Sequence, residues 1–131
     1  MIRHGTPPYL ECSSRGDYRF SAFRARIKGR GWRSIESIYQ SSKIFPKDTP
    51  GVNPETGHMW SWMDAKGKAS VNQAELNDLY EILWREYLTE NPSFLEVIKS
   101  ATGLSDVFGQ PGRCCQATSL WKIRNEHLIG M

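Results

Sequence analysis

Residues 29–45 read GRGWRSIESIYQSSKIF. Two kinds of backbone meet inside this stretch. Gly29 and Gly31 mark a turn. Ser34, just ahead of Ile35, has the chemistry of a helix N-cap, because its hydroxyl can accept one of the backbone N–H groups that a helix start leaves without a partner. At about 100° per residue, Glu36, Gln40 and Lys43 fall within about 60° of one another, and Ile35, Ile38 and Phe45 lie on the other side. The spacing predicts a short helix over 34–44, ended by Pro46 and Pro50. One apolar side and one polar side also describe any surface helix, so the rest of the chain decides whether the polar stripe carries chemistry.

Upstream, DYRFSAFRARIKGRGWRS (17–34) alternates apolar and basic residues. Phe20, Ala22 and Ile27 fit a half-buried strand or hairpin turning at the two glycines. Pro7 and Pro8 exclude a helix near the start, and YLECS (9–13) suits a short strand. Downstream, PKDTPGVNPETGHMWSWMDAKGKA (46–69) holds three Pro and three Gly and little periodicity. It reads as a long loop, a class that is usually functional or disordered, and its two Trp argue against simple disorder.

The second half is helical in pattern. SVNQ (70–73) has the form of a capping box with Ser70 as N-cap and Gln73 three residues on. Leu76, Leu79, Tyr80, Leu83, Trp84 and Tyr87 then recur at helical spacing, predicting an amphipathic helix over 71–89. NPSFLEVIKSATG (91–103) predicts a helix over 92–102, with Asn91 as cap, Pro92 at the first position and Gly103 past the end. LSDVFGQPGR (104–113) reads as a loop and CQATSLWKIRN as a last helix, over 114–124. The expected architecture is α+β and mainly helical, one domain over 1–131 with a small N-terminal antiparallel sheet.

Composition narrows the function. At 131 residues one domain is the default, and such a chain buries roughly two-thirds of its unfolded surface, enough for a core without staples. Hydrophobic residues are 39% and charged residues 24%, a globular balance. The net charge of +3 suits a phosphate-bearing ligand without demanding nucleic acid. Three cysteines, Cys12, Cys114 and Cys115, make an odd and partly adjacent set, a poor disulfide framework that points to a reducing, cytoplasmic setting. His4, His58 and His127 are scattered, which gives zinc little support, and no cofactor is expected. The first residues lack an apolar signal region. No segment approaches the roughly 18 apolar residues of a membrane helix.

Several motifs compete. KGRG lacks a third glycine and a parallel βαβ unit, so it is no dinucleotide fingerprint. RGD at 15–17, without a secretion signal, is coincidence. Arg19, Arg24, Arg26, Lys28, Arg30 and Arg33, interleaved with Phe20, Phe23 and Trp32, fit a backbone-tracking, base-stacking strip. They equally fit a solvated strand face with its aromatics turned inward. On the helix, Lys43 can act as a nucleophile on a sugar carbon while Glu36 moves protons.

These residues carry a resemblance. FSAF (20–23) followed by GRGWRSIESIYQSSKIF is similar to the leading motif of the NADAR/YbiA-like family, with Trp32, Glu36, Tyr39, Gln40 and Lys43 at its spacing. WSWMDAKGK (60–68) resembles that family's Trp-Asp/Glu-x-x-Lys segment, REYLTENPSFLEVIKSATG (85–103) its helix pair, and GRCCQATSLWKIR (112–124) its closing helix. Together the blocks span most of 18–124. Ala22 stands where the family has Asn, Cys114 where the closing motif has Asn, and Ala117 where it has Gly.

The resemblance implies a YbiA-like domain and cleavage of an N-glycosidic bond between a ribosyl or ADP-ribosyl group and a base. Substrates of the class include guanine-linked ADP-ribose and ribosylated riboflavin-pathway intermediates. The expected partner is a nucleotide or ADP-ribosyl substrate, free or carried on nucleic acid. Glu36, Lys43 and Asp64 are the implied catalytic residues. Arg15, Arg19, Phe23, Trp32, Tyr39, Gln40, Trp60, Trp62 and Lys66 are the implied substrate contacts, with Trp60 or Trp62 stacking on the base and Arg15, Arg19 or Arg33 holding phosphate. The site is expected between the 34–44 helix, the 58–68 loop and the hairpin. Two roles stay open for Lys43: an imine with the opened ribose, which requires a free amine beside Glu36, or a fixed charge while Glu36 activates water. The competing expectation is a non-catalytic module that binds nucleotides or single strands through residues 19–33.

Overall fold

The computed structural model describes residues 9–11, 18–100, 103–105 and 116–129. Cys12, Arg15, Cys114 and Cys115 lie outside them. In chain order the elements are β1 (Tyr9–Glu11), β2 (Arg26–Ile27), β3 (Arg33–Ser34), α1 (Ile35–Ser41), α2 (Gln73–Glu90), α3 (Pro92–Ser100), β4 (Gly103–Ser105) and α4 (Gln116–Ile129). Single 3-10 turns cover Tyr18–Phe20, Lys28–Arg30 and Trp62–Ala65. Helix predominates, and the α+β expectation stands at that level.

The antiparallel pair β2–β3 is the expected hairpin, with Arg26 opposite Ser34 and Ile27 opposite Arg33. Gly31 takes a left-handed conformation (φ 72°) and Trp32 follows it there (φ 61°), which non-glycine residues rarely adopt. The strand expected through Phe20 and Ala22 is instead a 3-10 turn followed by a hydrogen-bonded turn, in which the Arg24 and Ala25 N–H groups donate to the Ser21 carbonyl. Its tight turn still sends Phe20 and Ala22 into the core. A second sheet was not expected: β1 pairs in parallel with β4, Tyr9 opposite Gly103 and Glu11 opposite Ser105. Gly103–Ser105, read as the end of a helix and the start of a loop, is therefore strand.

Helix α2 organises the core. Leu76, Tyr80, Leu83, Trp84, Tyr87 and Leu88 are buried along one of its faces. All of these but Leu76 join Phe20, Ala25, Ile27, Ile35 and Ile38 from the N-terminal half, Ile98 of α3, and Leu120 and Ile123 of α4 in one core cluster. Aromatic edges fix the packing: Trp84 meets Tyr87 with centroids 5.5 Å apart and Phe20 meets Phe94 at 6.4 Å, both edge-on. Arg85 bridges Glu81 and Glu126, tying α2 to α4. A smaller cluster of Phe45, Val52, Met59 and Ala65 folds the long 46–69 segment onto itself. A bridge between Val52 and Met59 closes that loop.

Helix boundaries depart from expectation for identifiable reasons. The capping box does not form. Asn72, not Ser70, precedes α2, and its side chain makes no cap bond. It reaches instead across to residues 42 and 44. Asn91 likewise turns its side chain back to the Tyr87 carbonyl at 2.8 Å, while its own carbonyl accepts the first α3 bond from Phe94 N–H. Helix α3 is described over Pro92–Ser100, with the Ser100 hydroxyl bonded back to the Glu96 and Val97 carbonyls; residues 101–102 of the expected helix lie outside the described residues. Helix α4 runs on to Ile129, because nothing in IRNEHLI breaks it.

Candidate functional site

Helix α1 is set by its N-terminus. The Ser34 hydroxyl accepts from Ser37 N–H at 3.1 Å, as the sequence predicts. The N–H groups of Ile35 and Glu36 donate to the carbonyls of Ala25 and Ala22, each at 2.9 Å. The first orphan donors of the helix are thus satisfied by the segment that carries Phe23. Ile35 and Ile38 are buried on one side and Glu36 is half-buried on the other.

The far end differs from expectation. Helix α1 stops at Ser41, well before Pro46, so Lys43 is not on it. The hydroxyls of Ser41 and Ser42 bond back to the Ile38 carbonyl, offering the backbone an alternative to further helix. Asn72 then grips the departing chain from both sides, donating to the Ser42 carbonyl and accepting from Ile44 N–H, each at 3.0 Å. His58 Nδ1 lies 3.0 Å from the Lys43 carbonyl oxygen, so that nitrogen carries the proton.

Released from the helix, Lys43 turns inward. It is only 6% exposed, and its Nζ donates to the Ala65 carbonyl at 3.0 Å and the Lys68 carbonyl at 2.9 Å. The same atom lies 5.8 Å from the centroid of the Tyr39 ring. Lys43 therefore ties the end of α1 to the last residue of the Trp62–Ala65 turn and to Lys68 just beyond it. On α1 itself, Gln40 is 7% exposed and its Nε2 donates to Glu36 Oε1 at 2.8 Å. Its Oε1 is buried and has no hydrogen-bond partner. Buried acceptors are usually satisfied, so this one marks a place where a donor is wanted.

The loop brings aromatic and basic groups to the same side. Lys66 Nζ lies 5.1 Å from the Phe23 ring centroid and 4.8 Å from that of Trp62. Trp60 is 72% exposed, and Met63 and Asp64 on the same turn are also exposed. The expected site residues divide accordingly. Glu36 and Gln40 are paired directly. Tyr39, Lys43 and the 65–68 backbone form one set of contacts, and Phe23, Trp62 and Lys66 another. The Trp62–Ala65 turn joins the two sets.

Others are placed elsewhere. Arg19 lies over the rings of Phe20 and Phe94, 5.3 and 5.6 Å from their centroids. Arg33 donates to the Ser37 carbonyl and the Ser41 hydroxyl. Trp32 sits 59% exposed beside the hairpin turn, where its carbonyl accepts from Arg26. Arg15 lies outside the described residues. Sequence reasoning missed Asn72 and His58 altogether. Neither has a motif, and each acts on a backbone group far away in sequence. Among the described residues no cluster of His, Cys, Asp and Glu is arranged to hold a metal, and no helix is long and apolar enough to cross a membrane.

No protein-family model matches the chain, and no curated protein matches it at a significant level.

Proposed function

We propose that this chain is a NADAR/YbiA-like N-glycosidase that hydrolyses the bond between a ribosyl or ADP-ribosyl carbon and the nitrogen of a guanine-like or related base. The observation that carries the reading is the Glu36 carboxylate, held by Gln40 Nε2 at 2.8 Å on the helix whose end Lys43 ties to the aromatic loop. A carboxylate oriented by one neighbour and half open to solvent is suited to take a proton from water. Water attacks the sugar C1, its proton passes to Glu36, and the C1–N electron pair leaves with the base. Trp60 and Trp62 supply stacking faces on the loop beside it.

Lys43 acts in this reading as a charged organiser. Its N–H bonds to two carbonyls fix the loop, and a lone pair free to form an imine would require those bonds to be remade. The resemblance of the 29–45 motif to the family supports the reaction class. The binding-only alternative is less favoured, because the guanidinium groups of Arg26, Arg30 and Arg33 already have bonds within the chain.

A hydrolysis panel of guanine-linked ADP-ribose, riboflavin-pathway ribosides and NAD tests the proposal, with borohydride added during turnover. Base release without a reduced adduct on Lys43 is expected. A ribosyl adduct on Lys43 would restore the imine, and no base release from any member would overturn the enzyme reading.

A further inference from the structure

Phe23 and Trp62 come from opposite sides of the site. One precedes β2 and the other opens the Trp62–Ala65 turn within the long 46–69 loop. Both meet the same cation, the Lys66 ammonium, at 5.1 and 4.8 Å from their ring centroids. An aromatic face carries the negative lobe of the ring quadrupole, so two rings gathered around one point favour positive charge there. The arrangement is also replaceable. Lys66 is exposed and Phe23 is 46% exposed, so the ammonium can leave without unpacking the core. The walls are not equally free. The Phe23 segment is bonded to the first turn of α1, and the Trp62 turn is pinned by Lys43.

We infer that Phe23 and Trp62 form a two-walled aromatic site for a planar heterocycle whose ring nitrogen bears a positive charge, with Lys66 as its resident stand-in. A flat cation offers both rings a charged π-face, which the aliphatic ammonium cannot, and it gives up less hydration on entering. As the base subsite of an N-glycosidase the inference rests on the proposed function. There it selects ribosides quaternised at the glycosidic nitrogen. When the C1–N bond of such a substrate breaks, the electron pair neutralises the ring, and the base departs without needing a proton. The only proton to be moved then comes from the attacking water and goes to Glu36.

Calorimetric titration with two isosteric probes, the 1-methylnicotinamide cation and neutral 3-methylbenzamide, tests the site. The wild type is expected to bind the cation at least tenfold more tightly than the neutral ring. Lys66→Met, which vacates the site, should tighten cation binding several-fold and leave the neutral probe unchanged. Phe23→Leu and Trp62→Leu, which keep apolar bulk and remove a ring, should each weaken cation binding about tenfold with unchanged far-ultraviolet circular dichroism. Should one of these fail to fold, the other and Lys66→Met still decide. Equal affinity for the two probes, or weaker cation binding in Lys66→Met, would overturn the inference. Hydrolysis of a cationic and a neutral N-riboside is followed in parallel. Cation-selective binding without hydrolysis of either removes the glycosidase reading and leaves the site standing. Hydrolysis with no preference for the cation in binding or turnover does the reverse.

Discussion

The basic hairpin and the aromatic loop treat their most conspicuous side chains in opposite ways. In the hairpin, basic side chains stay largely exposed while bonding to the same chain. Arg30 forms a two-bond pair with Glu86 at 2.9 and 2.6 Å, Arg26 donates to the Trp32 carbonyl, and the backbone N–H groups of Lys28 and Gly29 donate to Glu90 at 2.7 and 2.8 Å. Within a run that looks like a nucleic-acid strip, the Arg30 side chain and the backbone of Lys28 and Gly29 fasten the hairpin to α2, while Arg26 bonds within the hairpin and Arg33 to α1. In the 60–68 loop, apolar rings face water while the buried charge belongs to Lys43, which comes from outside the loop. Counts of basic and aromatic residues do not separate these cases. What separates them is whether each group already has a partner within the chain.

The contrast is broken most strongly at Lys43. Lys43→Met removes both bonds to the Ala65 and Lys68 carbonyls; the Ala65 carbonyl keeps the Lys68 N–H and Lys68 is exposed, so the loss is that of two hydrogen bonds, about 0.5–1.5 kcal/mol each. A stability loss of about 2 kcal/mol is expected by urea denaturation, with faster amide exchange confined to the 60–68 loop. A loss under about 0.5 kcal/mol would place Lys43 among ordinary surface substitutions and show that the loop is held by other means.

The hairpin fastening is weaker. Arg30 and Glu86 are each 36% exposed, so Arg30→Ala should cost about 0.5–1 kcal/mol, the range of exposed ion pairs. Its pH dependence has a definite sign. The hydrogen bond from Arg30 holds the Glu86 carboxyl below its ordinary value, against a smaller opposing effect of burial. The unfolded carboxyl titrates near about 4.3. The contribution is therefore full above that pH and is lost as pH falls through the lower folded value. Thermal melts of wild type and Arg30→Ala should converge in acid and separate at neutral pH. Separation that persists unchanged in acid would assign the effect to packing of the Arg30 stem.

The smallest expected effect tests the hairpin as a ligand surface. Arg24→Ala combined with Arg26→Ala should leave base release near the wild-type rate. Each lost phosphate contact would lower the slope of log affinity against log salt for single strands by about 0.7. No such change is expected. A collapse of single-strand binding with hydrolysis intact would give the hairpin a separate role.

Local signals carried the parts of this molecule that depend on neighbours in sequence. The Ser34 cap, the left-handed Gly31 and the apolar face from Leu76 to Tyr87 all follow from spacing within a turn or two, and all are found where the residues put them. The parts that depend on distant backbone were not legible. β1 falls within YLECS, read as a short strand, but β4 and the parallel pairing of the two were not readable, because each strand is three residues long and is completed only by the other. The end of α1 looked like a matter for Pro46 and was settled by Ser41, Ser42 and the side chain of Asn72. That same end moved Lys43 from the polar stripe into the interior. Of the candidate site, the pairing of Glu36 with Gln40 was readable as positions four apart on one helix. The meeting of Phe23, Trp62 and Lys66 was not, because it needs the fold of the 46–69 loop.

Glu36→Gln is the direct test of the central claim. The amide keeps the side chain's size and still accepts from Gln40 Nε2 while losing the capacity to take a proton from water. Rates of base release from the riboside panel should fall about 10²–10⁴-fold, the usual contribution of a general base. The urea midpoint should stay within the spread of surface substitutions, about 0.5 kcal/mol. Retention of most of the rate in Glu36→Gln would contradict the account.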